Sequence, residues 1–276
     1  MGIPPQYTES LASKLINSAS ESIIRLMLFL YGDESKNISD PFWGIGVIYT
    51  NDPNSHMQQL RKIRSQCDFL RTEMKYSSTD YSQVLPAIRT IDYLFNALNL
   101  YFKIIIKDKE FFDISYFEDN IYSIDKWHLA YLTNYRNLCR SIKPESHNSS
   151  KMILNYDQKS FVISGKMKEF LQTQVPSLVE ANPKDSKEKL RNGEFTDMAL
   201  MIQLADLFTG IITSFLYPDD DQSNKFKKIY RKALLSHCPG LIRALRGKTH
   251  FYHPSWSDQK ISIFYSNKLM PKKNAS

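Results

Sequence analysis

The chain has 276 residues, of which 42% are hydrophobic and 13% aromatic, enough to build a substantial core and too many for a disordered or collagen-like chain. The net charge of +7 is uneven: residues 222 to 276 carry twelve Lys and Arg against one acid, while the preceding 221 carry 24 against 28. An acidic body with a basic tail points to a polyanion as the tail's partner.

The three cysteines (Cys67, Cys139 and Cys238) are widely spaced and form no CxxC pair, a pattern that fits a reducing cytoplasm rather than a disulfide framework. The N-terminal "MGIPPQYTES" has no basic segment followed by an apolar one, so no secretory signal is expected there. Residues 1 to 24 read as a helical extension. The apolar run "IIRLMLFLYG" then reads as a buried strand that stops on the adjacent acids Asp33 and Glu34. "PFWGIGVIYT" (41 to 50) is a second strand, close enough to form an antiparallel hairpin with the first. Apolar residues at three- and four-residue intervals predict helices over "SHMQQLRKIRSQCDFLRTEMKY" and "DYSQVLPAIRTIDYLFNALN".

"LYFKIIIKD" (100 to 108) is a third strand, "SIDKWHLAYLTNYRNLCRSI" an amphipathic helix, and "KMILNYDQKS" (151 to 160) a fourth strand ending on Asp157. "KMKEFLQTQVPSLVE" predicts a helix, "NPKDSKEKLRNGE" a loop, and Met198 to Ile202 a short strand. That strand runs into an apolar helix with Asp206 in its first turn. The polar residues Gln203 and Asp206 mark this helix as a core element rather than a membrane span. "YPDDDQSN" (217 to 224) is the clearest boundary. The expectation is an α/β fold whose mixed sheet opens on an antiparallel hairpin, with one domain over 25 to 217 and a basic extension over 218 to 276.

Asp33, Asp157 and Asp206 stand out by position, and Glu73 in "TEMKY" is a fourth acid that lies between them in the chain. Strand ends and helix starts meet at one rim of a sheet, where converging carboxylates repel unless a cation neutralises them. An all-oxygen set without His or Cys favours Mg2+ or Mn2+, and two such ions could activate a water and stabilise the leaving oxygen of a phosphodiester. Taken singly, each acid has a plainer reading. Asp-Glu-Ser after a strand is commonly a turn, "EMK" a solvated helix face, and an acid in a helix's first turn a partner of the macrodipole. His237, Cys238, His250 and His253 fit no familiar zinc spacing.

"LYGDES" with "FWGIGVIY", then "EMKY", "MILNYDQKS" and "IQLADLFTGII", resembles the ribonuclease-H-like family known as domain-of-unknown-function family thirty-eight hundred. That family carries Y-x-D-E-S-G, an E-x-K segment, a strand ending in Asp, and Q-x-A-D before a small-residue helix. The likeness covers roughly residues 25 to 217. It implies a ribonuclease-H-like fold and a metal-dependent nuclease, in a mobile-element or phage-defence setting. Asp33, Glu73, Asp157 and Asp206 would be the metal-binding acids, Glu34 an additional ligand or support, and Lys75 a phosphate contact. Lys36 stands where the family has Gly. Lys225, Lys227, Lys228, Arg231 and Lys232 in the basic tail are the expected nucleic-acid contacts. The other reading is a non-catalytic nucleic-acid-binding or assembly subunit that keeps the fold.

Overall fold

A strand buried on both faces must be apolar on both, and the run from Met27 onward meets that requirement. In the structure, a computed structural model that describes residues 27–35, 42–76, 80–108, 126–157, 164–216, 225–238 and 241, this run is β1 (Met27–Ser35). Leu28 and Leu30 face one apolar cluster and Tyr31 the other, as the two-residue repeat of a strand dictates. β2 (Phe42–Thr50) returns antiparallel to β1, and β3 (Leu100–Asp108) lies antiparallel to β2. β4 (Lys151–Asp157) joins the opposite side of β1 in parallel, and β5 (Leu178–Lys184) extends the sheet in parallel from β4. The strand order is therefore β3-β2-β1-β4-β5, a five-stranded mixed sheet.

Helices cover both faces. α1 (Pro53–Ser65), α2 (Val84–Asn96), α5 (Asp197–Leu216) and α6 (Lys225–His237) share one core cluster with Tyr31, Ile48 and Phe102. α3 (Lys126–Ser141) and α4 (Ser164–Gln174) pack with Leu28, Leu30, Ile45 and Val47 on the other face. α5 is apolar and long enough to cross a membrane by length and composition, yet 83% of that stretch is buried within the protein. α6 places Tyr230 and Leu234 in the same cluster as Tyr31, so this helix beyond residue 218 packs into the core of the body. The predicted N-terminal extension, the 217 to 224 boundary, Lys36 and His250 and His253 lie outside the described residues.

Three expectations are corrected. The helix predicted through Tyr76 ends at Ser65. Asp68 then turns the chain with φ of 52° and Phe69 N donates to Arg64 O, so residues 69 to 76 run as an irregular loop that buries Phe69 and Met74. The fifth strand is Leu178–Lys184, which the sequence reading divided between a helix and a loop. Pro183 disguises it, and an edge strand tolerates a residue with no N–H to donate. Met198 to Ile202 is the start of α5, capped by the Thr196 hydroxyl, which accepts from Ala199 N at 3.2 Å. Asp206 therefore lies about two and a half turns into the helix and not in its first turn.

α5 approaches the sheet unusually closely. A Cβ on Gly46 would fall 1.9 Å from Thr209 Oγ1, and one on Gly44 2.6 Å from Thr213 Oγ1. The two glycines of "FWGIGVIY" thus make the groove in which α5 lies. Gly46→Ala should destabilise the fold by about 1–3 kcal/mol through overpacking, read as a lower midpoint in urea. Thr209→Ala should recover part of the loss.

Candidate functional site

Register decides which acids can meet. β1 and β4 run in parallel with Gly32 opposite Tyr156, so Asp33 and Asp157 are the next residues on adjacent strands, whose axes lie about 4.8 Å apart. Asp33 pairs with Gly46 on its other side. Gly46 faces Thr209 of α5 and the preceding Gly32 faces Tyr135 of α3. Alternation therefore turns Asp33 and Asp157 towards α5, where Asp206 lies one turn before Thr209. The same alternation turns Glu34 to the opposite face. There its charge is the first among the acids to raise the buried Tyr135 phenol, ahead of Asp33 and Asp157 and after burial itself. The structure thus brings Asp33, Asp157 and Asp206 to one side of the sheet and sets Glu34 on the other.

Asp33 is only 5% exposed, and its Oδ1 accepts from Glu34 N at 2.7 Å. Gly32 explains the tight approach beneath it: a Cβ there would meet the Tyr135 ring at 2.7 Å. Glu73 and Lys75, both half-buried, flank the buried Met74 in this loop. Lys75 Nζ stands 2.9 Å from Glu73 Oε1. Burial opposes the Lys75 charge, but contact with Glu73 and the fields of Asp206 and Asp33 outweigh it, and its pKa rises.

A buried relay joins the segments that carry these acids. Gln203, 2% exposed, lies on the same side of α5 as Asp206, three residues away. Its Nε2 donates to Ser186 O at 2.7 Å, and Ser186 N donates to Asp157 Oδ1 at 3.1 Å. Gln203 Oε1 accepts from Arg64 Nη1 at 2.7 Å and from Met74 N at 3.3 Å, next to Glu73. Arg64 also donates from Nε to Phe69 O at 3.1 Å and from Nη2 to Thr72 O at 2.5 Å. Burial lowers this guanidinium's pKa to about 10, opposed by the nearby Glu73 charge.

Sequence reasoning singled out Gln203 without giving it this task and missed Arg64 and Tyr135. Arg64 left a signal: a charged residue at the inward-facing position of α1, beside Leu60 and Ile63.

The basic helix α6 adjoins the same loop. Tyr76, the residue after Lys75, stacks on Tyr230 at 5.7 Å and accepts a hydrogen bond from Ser214 Oγ at 2.6 Å. Lys227 Nζ lies 5.6 Å from the centre of the Tyr76 ring. Lys228 and Lys232 are exposed, Arg231 is half-buried, and Lys225 opens the helix.

Among the described residues, no three His, Cys, Asp or Glu side chains stand close enough to ligate one ion as placed. Comparison with models of known protein families finds no match, and a search of curated proteins finds none.

Gln203→Leu would leave Arg64 Nη1, Met74 N and Ser186 O without their partner, at a cost of about 3–5 kcal/mol. Arg64→Lys should also destabilise, by roughly 1–3 kcal/mol, because an ammonium cannot span three carbonyl oxygens set out for a fork. Chemical unfolding checks both.

Proposed function

We propose that the chain is a divalent-metal-dependent nuclease of ribonuclease-H-like architecture, working in a cytoplasmic, mobile-element or phage-defence setting. One observation carries the reading. Asp157 closes β4 and Asp33 lies two residues before the end of the adjacent parallel strand β1, both on the face that α5 covers, with Asp206 on α5 and Glu73 paired with Lys75. The mixed sheet that opens on the β1–β2 hairpin supports the architecture.

The donor set fits a hard cation. All four candidates are carboxylates, the oxygen chemistry that Mg2+ and Mn2+ prefer, and the cluster already draws a cationic side chain to itself. When bound, two such ions supply a water made acidic enough to attack and a counter-charge for the leaving oxygen. Asp33, Glu73, Asp157 and Asp206 would hold them. Glu34, turned to the opposite face, acts through the packing beneath Asp33.

The chain's other residues position these groups. The Gln203–Arg64 relay fixes the loop before Glu73 and the turn that caps Asp157. Lys227, Lys228, Arg231 and Lys232 give α6 a basic surface beside that loop, and with Lys225 at the start of the helix they suit the phosphates of RNA, DNA or a hybrid.

Cleavage of labelled single-stranded, duplex and hybrid substrates should require Mg2+ or Mn2+ and stop with EDTA. Asp33→Asn and Asp206→Asn should each lower the rate on the order of a hundredfold or more while remaining folded. Full activity in either folded variant, or no divalent-dependent cleavage of any substrate, would leave the non-catalytic binding subunit as the better reading. Neutralising Lys225, Lys227, Lys228, Arg231 and Lys232 together should flatten the plot of log K against log salt by roughly three to four units, if about four of them touch phosphates. An unchanged slope would remove α6 as the docking surface.

A further inference from the structure

We infer that the surface shared by α6 and the turn before α2 takes single-stranded nucleic acid, with α6 holding the phosphates and the Tyr81 ring stacking on an unpaired base. This surface deepens the nucleic-acid reading above, on which it rests, by fixing the strandedness of the substrate, and it needs no metal ion.

α2 and α6 lie side by side and run in the same direction. Near the start of α6, Tyr230 stacks on Tyr76 at 5.7 Å. Lys75, the residue before Tyr76, donates its N–H to Gln83 Oε1 at 3.3 Å, just ahead of α2. At the far end, Cys238 Sγ donates to Ile88 O at 3.5 Å. The Tyr81–Gln83 turn that leads into α2 is thereby set beside the first turns of α6. Its backbone is pinned: Asp80 Oδ1 accepts from Ser82 N at 2.8 Å, Asp80 Oδ2 accepts from Ser82 Oγ at 2.7 Å, and Gln83 is fully buried. Tyr81 stands on this fixed turn at 56% exposure, and among the described side chains it is the one exposed aromatic ring.

The neighbouring helix is uniformly basic. "KFKKIYRKALLSH" holds Lys225, Lys227, Lys228, Arg231 and Lys232 towards its start and no acid. Lys228 and Lys232 are exposed and one turn apart, hence on the same side of the helix. Cations at this end oppose the helix dipole, which is already positive there, and repel one another. An anion laid along the helix relieves both. A lone exposed tyrosine is ordinary on a protein surface, but a ring beside a basic strip is the pairing that single-strand grooves use. A duplex would engage the charges alone, because its base faces are covered by each other. A single strand also offers a bare π-face, and Tyr81 supplies the ring that covers it. Stacking on a ring whose stem is already fixed costs little further entropy.

Fluorescence anisotropy of labelled oligothymidylate, and of a duplex of the same length, reads binding in EDTA, where no cleavage intervenes. Tyr81→Ala and Tyr81→Leu should weaken oligothymidylate binding about five- to thirtyfold and leave duplex binding unchanged. They should also keep the slope of log K against log salt, because the ring carries no charge. Tyr81→Phe should stay near wild type. Lys228→Gln and Lys232→Gln together should flatten the single-strand slope by about 1.4 units, if each side chain holds one phosphate. Leu98→Ser changes an apolar side chain exposed beyond the other end of α2 and should have no effect. Urea midpoints check that each variant folds. Wild-type protein that binds oligothymidylate while folded Tyr81→Ala and Tyr81→Leu bind it as tightly, or lose duplex affinity in proportion, would overturn the inference and leave the nucleic-acid reading standing. Equally tight binding of polyglutamate would make the surface a general polyanion site and overturn it as well. Wild-type protein that binds neither the single strand nor the duplex would overturn the nucleic-acid reading and this inference with it.

Discussion

The side-chain amide of Gln203 is the contact on which the site's order depends. It is the point where three separate pieces of chain are tied: α1 through Arg64, the loop that carries Glu73 through Met74 N, and the turn after β5 through Ser186 O. An amide suits the position because it donates on one side and accepts on the other. A carboxylate there would repel Ser186 O, and an aliphatic chain would strand a buried guanidinium. The relay is longer than the amide itself, since Ser186 passes the connection on to Asp157. The acids on β4 and in the loop are thus held relative to the helix that bears Asp206.

The charge pattern of the whole molecule is consistent with that local arrangement. The body is acidic, and Asp33, Asp157 and Asp206 share one side of the sheet under partial or full burial. Cations sit around them in graded exposure. Arg64 is buried beneath Glu73 and bound by neutral oxygens, Lys75 pairs with Glu73, and Lys227 lies over Tyr76 at the edge of α6. Asp33 is 5% exposed, and the hydrogen bond that its Oδ1 accepts from Glu34 N offsets part of the cost of that burial.

Much of the architecture is legible from residue pattern. The β1–β2 hairpin is readable because strands near the middle of a sheet are continuous apolar runs of the right length, and β3, although an edge strand, is readable because "LYFKIIIKD" is still a mostly apolar run of strand length. Asp33 and Asp157 are readable because an acid that ends such a run is out of character with a plain core. β5 is not, since an edge strand has one unpaired side and can carry Asn182, Pro183 and Lys184 without penalty. The loop over residues 69 to 76 is read as helix because Phe69 and Met74 continue the apolar spacing of α1, although they are buried by a turn at Asp68 instead. Glu73 owes its position to that turn and to Arg64, both set by tertiary contacts that a local pattern does not encode. Asp206 is found by its neighbours in "QLAD", yet its depth in α5 depends on a cap at Thr196, ten residues upstream.

The central claim is that Asp33, Glu73, Asp157 and Asp206 form one metal centre. The most direct measurement is anomalous diffraction from crystals of the full chain grown with Mn2+. The account predicts anomalous peaks between the ends of β1 and β4 and α5, within coordination distance of these four carboxylates. Ordered Mn2+ elsewhere, or a well-ordered site with no peak at a concentration that saturates binding, would contradict it.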